Sequence, residues 1–258
     1  MSVRYERDGP VAIVTIDRPE RRNAVDPPAA ALLFAAFERF AAEDDASVAI
    51  LTGAGGTFCA GYDLKAAAEG GLEELRDDGP GPMGPTRMLL PKPVIAAVEG
   101  YAVAGGLELA LWCDLRVAAS DAVFGVFSRR FGVPLVDLGT IRLPRLIGQS
   151  HALDMILTGR PVGAVEAKQI GLVNRLAPHG EALGTARELA MQIAAFPQRG
   201  LRNDRLAVLE QWGLPTPEAT LVELARGRDT IASGETLGGA ERFSSGEGRH
   251  GAFPGAEA

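Results

Sequence analysis

Short apolar runs recur along the first two thirds of the chain, separated by turn-forming residues. Residues 11–17 (VAIVTID) are rich in β-branched side chains and end at Arg18-Pro19, which predicts a strand closed by a turn. Similar runs predict three further strands, at residues 48–52, 94–98 and 115–118. Helical patterns lie between some of these runs, and strands that alternate with helices predict an α/β architecture.

The clearest helical pattern covers residues 27–45. Asp26 supplies an N-cap, and Pro27 suits the first helical position because an N–H there would have no intrahelical acceptor. Near the C-terminus the pattern changes to three helix-like segments without a strand between them, at residues 201–212, 217–231 and 235–246. The sequence therefore predicts an α/β core over residues 1–196 and a helical region over residues 197–258. The apolar faces of that region must pack on the core or on another subunit.

Residues 66–93 interrupt the regular alternation. The segment contains Gly70-Gly71, the run GPGPMGP and a Pro-Lys-Pro triplet, a composition that breaks helices and strands. It suits a mobile loop beside a binding site, and a plain surface insertion explains the same composition equally well.

Composition and charge narrow the function classes. The chain has 258 residues, 47% of them hydrophobic and 23% charged, so it is long enough to bury a sizeable core. The net charge of -7, with no basic cluster beyond short pairs, argues against nucleic acid or an anionic membrane as a partner. No run approaches the ~20 apolar residues of a membrane span, and the first ten residues lack the apolar part of a signal peptide. We therefore expect a cytoplasmic protein.

The metal-binding and thiol chemistry suggested by the sequence is sparse. Cys59 and Cys113 each lie in an apolar segment, which favours buried, reduced thiols over a disulfide. The three histidines, His151, His179 and His250, show none of the short spacings of zinc ligands, so no metal is expected.

Several familiar catalytic motifs do not occur in the sequence. It contains no serine-hydrolase elbow, no Walker loop and no HExxH pair. Residues 53–56 (GAGG) follow a predicted strand, but Phe58 takes the place of the third glycine of a GxGxxG pattern and a second strand-like piece follows. A dinucleotide-binding turn is therefore excluded.

Two glycine-rich segments are more informative. In residues 55–65 (GGTFCAGYDLK), Gly61 permits a tight turn before a helix that Asp63 caps, and alone this is an ordinary strand-to-helix turn. In residues 98–118 (VEGYAVAGGLELALWCDLRVA), Gly105 opens a helix whose first N–H groups have no intrahelical acceptor. Such groups, together with the helix dipole, are suited to an oxyanion.

Glu108 lies one turn inside that second helix, between Leu107 and Leu109. A carboxylate in so apolar a run is expected to be partly desolvated, which raises its pKa toward a value useful for proton transfer. For the segment taken alone, an exposed helical glutamate is the alternative.

Together with residues 18–24 (RPERRNA), these two segments resemble the crotonase superfamily, the enoyl-CoA hydratase/isomerase group. The resemblance runs from about Val11 to Pro178 and includes four further motifs, Phe124-Gly125 and residues 139–148, 157–159 and 167–173. It implies a crotonase-like spiral core of repeated β-β-α units followed by a C-terminal helical trimerisation region. A homotrimer or a dimer of trimers is therefore expected.

The resemblance also implies a binding site made of backbone atoms. The N–H groups of Tyr62 and Gly105 would form an oxyanion hole for the carbonyl oxygen of an acyl-CoA thioester. Backbone around Ala60, Gly61, Tyr62 and Leu64 would receive coenzyme A, which is part of the substrate, so no separate cofactor is implied. Two fixed donors stabilise enolate charge on that oxygen by roughly 3–4 kcal/mol each in comparable sites.

The sequence departs from the hydratase pattern at the second acid. The resemblance makes Glu108 one of the two catalytic glutamates of a hydratase, and Ser128 occupies the position of the other. A hydroxyl is not a general acid or base near neutral pH. Asp137 is a candidate substitute, because some isomerases of the family carry an acid in this loop, and a solvated loop carboxylate is the alternative.

Three functional hypotheses remain open. The leading one is an enoyl-CoA hydratase, with Glu108 as the acid/base and Asp137 assisting. The second is an enoyl-CoA isomerase, in which one carboxylate moves a proton between Cα and Cγ. The third is a protein that binds acyl-CoA esters without turnover.

Overall fold

The computed structural model describes residues 2–71 and 75–248, and two β-sheets lie within them. The larger has the order β1-β2-β3-β4-β6-β9, with strands β1 (Val3–Asp8), β2 (Val11–Ile16), β3 (Val48–Gly53), β4 (Val94–Val98), β6 (Leu115–Ala119) and β9 (Arg175–Ala177). The smaller has the order β5-β7-β8, with strands β5 (Tyr101–Val103), β7 (Val123–Gly125) and β8 (Val162–Gly163). In the larger sheet only β1 and β2 pair antiparallel.

Helices follow most of the strands. Those of the first part are α1 (Pro27–Ala42), α2 (Leu64–Ala66), α3 (Gly105–Trp112), α4 (Gly139–Ile147), α5 (Gln149–Thr158) and α6 (Ala164–Gln169). Those after β9 are α7 (Ala182–Ala194), α8 (Gln198–Glu210), α9 (Thr216–Ala232) and α10 (Glu235–Ser245).

The central strands are apolar on both faces because both faces are covered. Along β2, Val11 and Ile13 pack in a cluster with residues of α7, whereas Ala12, Val14 and Ile16 belong to the main core on the other side. All six residues of β2 are buried. A parallel sheet with two covered faces requires such continuous apolar strands, which explains the short apolar runs of the sequence.

The core repeats one structural unit. Each unit consists of a strand of the larger sheet, a short extended segment in a second layer, and a helix. The clearest examples are β4-β5-α3 and β6-β7-α4, and β3 is followed in the same way by Cys59 and α2. The second-layer segments lie side by side, because Cys59 forms a parallel bridge with Ala102 and β5 pairs parallel with β7. Successive helix starts are thereby stacked beside one another.

The predicted elements are largely confirmed. The four predicted strands are β2, β3, β4 and β6, and Asp26 caps α1 by accepting from the Ala29 N–H at 2.9 Å. The helix predicted over 27–45 ends at Ala42. The strand β1 is not among the predicted ones. It is an edge strand in which most residues are charged, so its sequence shows no apolar run like those of the predicted strands. The three-residue strands β5 and β7 are too short to show a period.

The C-terminal region is helical, as predicted, with α8, α9 and α10 in place of the three predicted segments. Arg205 of α8 joins this region to the core, since its guanidinium contacts Asp114 Oδ1 at 2.8 Å and the Leu90 carbonyl at 2.6 Å. Part of the predicted region, residues 249–258, lies outside the described residues. No described helix combines the length and the apolar character needed to cross a membrane.

Candidate active site

The two glycine-rich turns meet at the start of α3. Gly61 has φ +101°, a left-handed value that favours glycine, and a Cβ built on it would lie 3.0 Å from the Gly105 nitrogen. The flanking bonds also orient Tyr62: the Val25 N–H donates to the Gly61 carbonyl, and the Asp63 N–H donates to the Val25 carbonyl. Backbone N–H groups alternate in direction along an extended segment, so the Tyr62 N–H points away from Val25.

A buried asparagine and an arginine hold the first turn. Asn23 accepts from the Arg18 N–H and donates to the carbonyls of Ala54 and Thr57, which ties residues 18–23 to the loop after β3. The Arg18 guanidinium contacts Asp26 at 2.6 Å and Asp63 at 3.2 Å. These contacts give a structural reason for the RPERRNA segment, because the side chains of Arg18 and Asn23 hold the first turn in place.

The second turn is strained. Ala104, the N-cap of α3, has φ 52° and ψ −123°, a conformation that non-glycine residues rarely adopt and that costs about 1–3 kcal/mol. Its N–H donates to the Gly125 carbonyl at 2.9 Å, which fixes it against β7. A Cβ on Gly105 would lie 2.6 Å from the Met83 sulfur, so a larger residue there would require the Met83 side chain to shift. Gly105 is thus the first helical residue, with no acceptor for its N–H within the helix.

Glu108 lies one turn further along α3 and is 2% exposed. Its Oε1 accepts from the N–H groups of Asp137, at 2.9 Å, and Gly139, at 2.8 Å. Leu138 between them has a left-handed φ of 68°, which turns both N–H groups toward the same oxygen. No described residue donates to Oε2. Burial, and then the neighbouring Asp137, raises the pKa of Glu108 to about 7, against the opposing effect of the two N–H donors.

Asp137 is buried as well, at 2% exposure, so it is not a solvated loop carboxylate. Its Oδ1 accepts from the Met83 N–H at 3.1 Å and from the Thr86 hydroxyl. The Arg142 guanidinium donates to the carbonyls of Asp137 and Thr86, and holds these two segments together. Burial raises the pKa of Asp137 despite these donors.

Ser128 is the buried residue of a short 3-10 helix, Phe127–Phe131, that follows β7. It is 7% exposed, and its Oγ has no hydrogen-bond partner among the described residues.

The two turns and the buried acids border one cleft of about 910 Å³. Of the predicted site residues, the cleft is lined by Ala60, Tyr62, Leu64, Gly105, Glu108 and Asp137, and Ser128 joins them. Gly61 lies behind Tyr62, against Gly105. The other walls of the cleft are largely apolar and include Phe34, Met83, Phe127, Val133 and Pro134. The irregular segment 66–93 does border the candidate site, because the cleft is lined by Leu75, Arg76 and residues 78–84.

Known proteins resemble this chain over almost its whole length. The family model described as Enoyl-CoA hydratase/isomerase matches residues 6–244. The chain belongs to the enoyl-CoA hydratase/isomerase family. Enoyl-CoA hydratase EchA19 of Mycobacterium tuberculosis is 37% identical over 246 residues, which are 93% of this chain and 92% of that protein. Carnitinyl-CoA dehydratase of Salmonella paratyphi A is 43% identical over 195 residues, 74% of either chain.

Solved structures of the family confirm the fold. The crystal structure of enoyl-CoA hydratase EchA1 from Mycobacterium marinum superposes with a TM-score of 0.89 at 37% identity, and the match covers 95% of this chain and 96% of that one. Enoyl-CoA hydratase from Bacillus anthracis matches with a TM-score of 0.85 at 31% identity, over 95% and 96% of the two chains. The crotonase-like α/β core with a C-terminal helical region is therefore established for this family member.

Sequence reasoning missed the supports of the acidic pair. Thr86 and Arg142 fix Asp137. Thr86 lies in an irregular segment and Arg142 lies inside a helix, so no local sequence pattern indicates a contact of either residue with Asp137. Only the low polarity around Met83 and residues 133–136 could have indicated that this loop is buried.

The residues that line the cleft do not include Cys59, Cys113, His151 or His179, and His250 lies outside the described residues. Cys59 and Cys113 are buried and unpaired, as predicted. His179 is isolated in the sequence, but its Nδ1 lies 2.9 Å from Asp121, with Glu99 nearby. Glu99 already accepts from the N–H groups of Gly180 and Ala182. These contacts hold the start of α7, and the absence of a metal stays a prediction.

Proposed function

We propose that the protein catalyses the reversible hydration of 2-enoyl-CoA thioesters, with Glu108 as its only acid/base. One observation carries the proposal: a buried carboxylate with a pKa of about 7 lies in the same cleft as the Gly105 N–H, one helical turn away. A group whose pKa is close to the operating pH exists in both protonation states, so it can both remove and return a proton.

The proposed reaction begins with the thioester carbonyl oxygen at the N–H groups of Tyr62 and Gly105. Glu108 Oε2 takes a proton from a water as the water oxygen bonds to Cβ. The electron pair of the Cα=Cβ bond moves toward the carbonyl oxygen and forms an enolate, which the two N–H groups stabilise. Glu108 then returns the proton to Cα, which restores the carboxylate and completes a 3-hydroxyacyl-CoA.

Asp137 acts electrostatically in this scheme. Thr86 and Met83 hold its Oδ1, so its negative charge lies beside Glu108 without taking over the proton transfer. A fixed like charge next to a buried carboxyl keeps the pKa of that carboxyl high.

Double-bond isomerisation is the second candidate, and Ser128 favours it. Isomerisation needs only one group that removes a proton at one carbon and returns it at another, and no second acid is required. The same cleft and Glu108 would serve both reactions, which differ in whether oxygen from water enters the product.

The experiment compares wild type with Glu108→Gln on paired 2-enoyl- and 3-enoyl-CoA esters of several chain lengths, read by mass spectrometry in ¹⁸O-labelled water. The amide of this variant keeps an oxygen for the Asp137 and Gly139 N–H groups, so geometry is retained while turnover falls about 10²–10⁴-fold. Glu188→Gln, on the exposed face of α7, is the matched control and keeps full activity.

Label in a 3-hydroxyacyl product supports hydration, and an unlabelled shifted double bond replaces it with isomerisation. Undiminished turnover by Glu108→Gln excludes both reactions as proposed. Ester binding by wild type without any turnover returns the protein to the third hypothesis, a binding protein.

A further inference from the structure

The Ser128 hydroxyl is a polar group whose place in the structure is not explained by the fold. The residue is 93% buried, since 7% of its surface is exposed, and its Oγ has no partner among residues 2–71 and 75–248. An unsatisfied buried hydroxyl costs stability, and buried polar groups in native proteins nearly always have a partner. A small apolar side chain would pack there at lower cost, so we expect the hydroxyl to have a partner that the described residues do not provide.

The backbone of Ser128 is fixed in place. Its carbonyl accepts from the Val133 N–H at 3.3 Å, which closes the loop after the 3-10 helix. Three residues earlier, the Gly125 carbonyl accepts from Ala104, the strained residue that precedes Gly105. Ser128 is therefore connected through β7 to the turn formed by Ala104 and Gly105, and it lines the same cleft as Glu108. Oγ itself is buried from solvent in this structure, so a rotation about its single side-chain torsion must turn the hydroxyl toward the cleft before it can reach a substrate oxygen.

Three polar groups of the cleft have roles in the proposed reaction, whereas the charged side chains of its lining, Arg22, Glu38, Arg76, Asp78, Arg87 and Arg130, and the Tyr62 hydroxyl have none. The N–H groups of Tyr62 and Gly105 bind the thioester oxygen, and Glu108 Oε2 handles the proton. The walls next to Ser128 are the apolar Phe127, Val133 and Pro134. The oxygen that adds at Cβ needs a second hydrogen-bond partner besides Glu108, and Ser128 brings to the cleft lining a buried hydroxyl with no partner among the described residues.

We propose that Ser128 Oγ hydrogen-bonds the oxygen at Cβ, first as the attacking water and then as the 3-hydroxyl group of the product. This assignment rests on the hydration reaction proposed above. Ser128 would orient the water in place of a second carboxylate, but it would not exchange a proton with substrate. The site therefore prefers 3-hydroxyacyl-CoA esters over the corresponding saturated esters.

Binding, measured without turnover, tests this assignment. Calorimetry is performed in the Glu108→Gln background with a matched pair of 3-hydroxyacyl- and acyl-CoA esters, of the chain length that wild type processes fastest. Adding Ser128→Ala is expected to weaken the hydroxy ester about 5–30-fold and to leave the saturated ester unchanged, since one hydrogen bond is lost. Retained binding of the saturated ester shows that the variant is folded, and Ser120→Ala, at an exposed serine, is the control.

Equal weakening of both esters, or of neither, overturns the assignment. Ser128→Cys, which keeps the size but weakens the donor, should lie between serine and alanine, and a cysteine variant no weaker than serine also contradicts it. Failure of the proposed reaction is seen separately, as turnover that does not depend on Glu108.

Discussion

At Glu108, burial and hydrogen bonding act in opposite directions on one carboxyl group. Burial and the charge of Asp137 favour the protonated form, whereas the N–H groups of Asp137 and Gly139 favour the carboxylate. Burial prevails, which gives the pKa of about 7. Asp137 thus contributes a backbone N–H that opposes, and a side-chain charge that supports, the raised value.

The pH dependence of turnover follows from this balance. Both directions of the proposed reaction begin with ionised Glu108, so kcat/KM should rise with pH through a midpoint near 7. Asp137→Asn removes the like charge while Arg142 keeps its positive charge nearby, so the pKa of Glu108 falls and the midpoint moves to lower pH. Initial rates from pH 5 to 9 measure this. A midpoint that stays in place would mean that Asp137 does not act on Glu108 electrostatically.

The unfolding free energy should also depend on pH through Glu108, and it should decrease as the pH rises. The pKa of Glu108 is raised from 4.5 to about 7 on folding, so its contribution is fully present below pH 4.5 and is lost as pH rises through 7. The Glu108→Gln variant cannot ionise at this position. Its unfolding free energy relative to that of wild type should therefore increase by about 3 kcal/mol when the pH is raised from 4.5 to 8. Urea unfolding at both pH values tests this, and a pH-independent difference argues against a raised pKa.

Sequence reasoning named residues that the structure brings to the cleft, but it did not predict all of their environments. Partial desolvation of Glu108 was predicted from its apolar neighbours, and the structure confirms it. Burial of Asp137 and Ser128 was not predictable, because contacts with Met83 and Thr86 bury Asp137 from a segment about fifty residues away. The oxyanion roles of Tyr62 and Gly105 stay predictions.

At the scale of elements, α3 packs unusually close to the second layer. A Cβ on Gly106 would overlap the Cys59 carbonyl, and backbone atoms there cannot move aside easily. The position of α3 therefore depends on a glycine. This distance was not foreseeable from the sequence, although the strands β2, β3, β4 and β6 and the caps of α1 and α2 were, because those depend on local patterns.

Paired glycine substitutions test this packing. Gly106→Ala should lower the unfolding free energy by about 1–3 kcal/mol, because the added methyl group overpacks against Cys59. Gly184→Ala, in α7 where a Cβ meets nothing within 4 Å, should instead gain up to about 1 kcal/mol from helix propensity. Chemical denaturation measures both. Equal effects of the two substitutions would show that backbone entropy, and not the contact with Cys59, governs Gly106.

At the scale of the whole molecule, the C-terminal helices leave much apolar surface uncovered in one chain. Exposed large apolar side chains on α8, α9 and α10 are Val208, Leu209, Leu221, Leu224, Ile231, Leu237 and Phe243. Contiguous exposed apolar surface on a single chain commonly marks a site of association. The expectation of a homotrimer, which came from the family resemblance, is consistent with this surface and stays a prediction.

Light scattering tests the assembly. Wild type should have about three or six times the 27.0 kDa of one chain. Leu237→Asp with Phe243→Asp should shift the mass toward a single chain, because two charges would be buried in the interface. Glu241→Ala on the same helix is the control and keeps the wild-type mass. A wild-type monomer would refute the prediction outright.

The two N–H groups that hold Glu108 Oε1 have a consequence for stereochemistry. With one oxygen anchored by Asp137 and Gly139, the carboxylate cannot turn, and only its other oxygen is left for the substrate. A planar enoyl group held in the cleft then presents one face to that oxygen. In the proposed reaction the hydroxyl and the new hydrogen are added to this same face, so hydration in deuterated water should yield one enantiomer at C3 and one diastereotopic deuterium at C2.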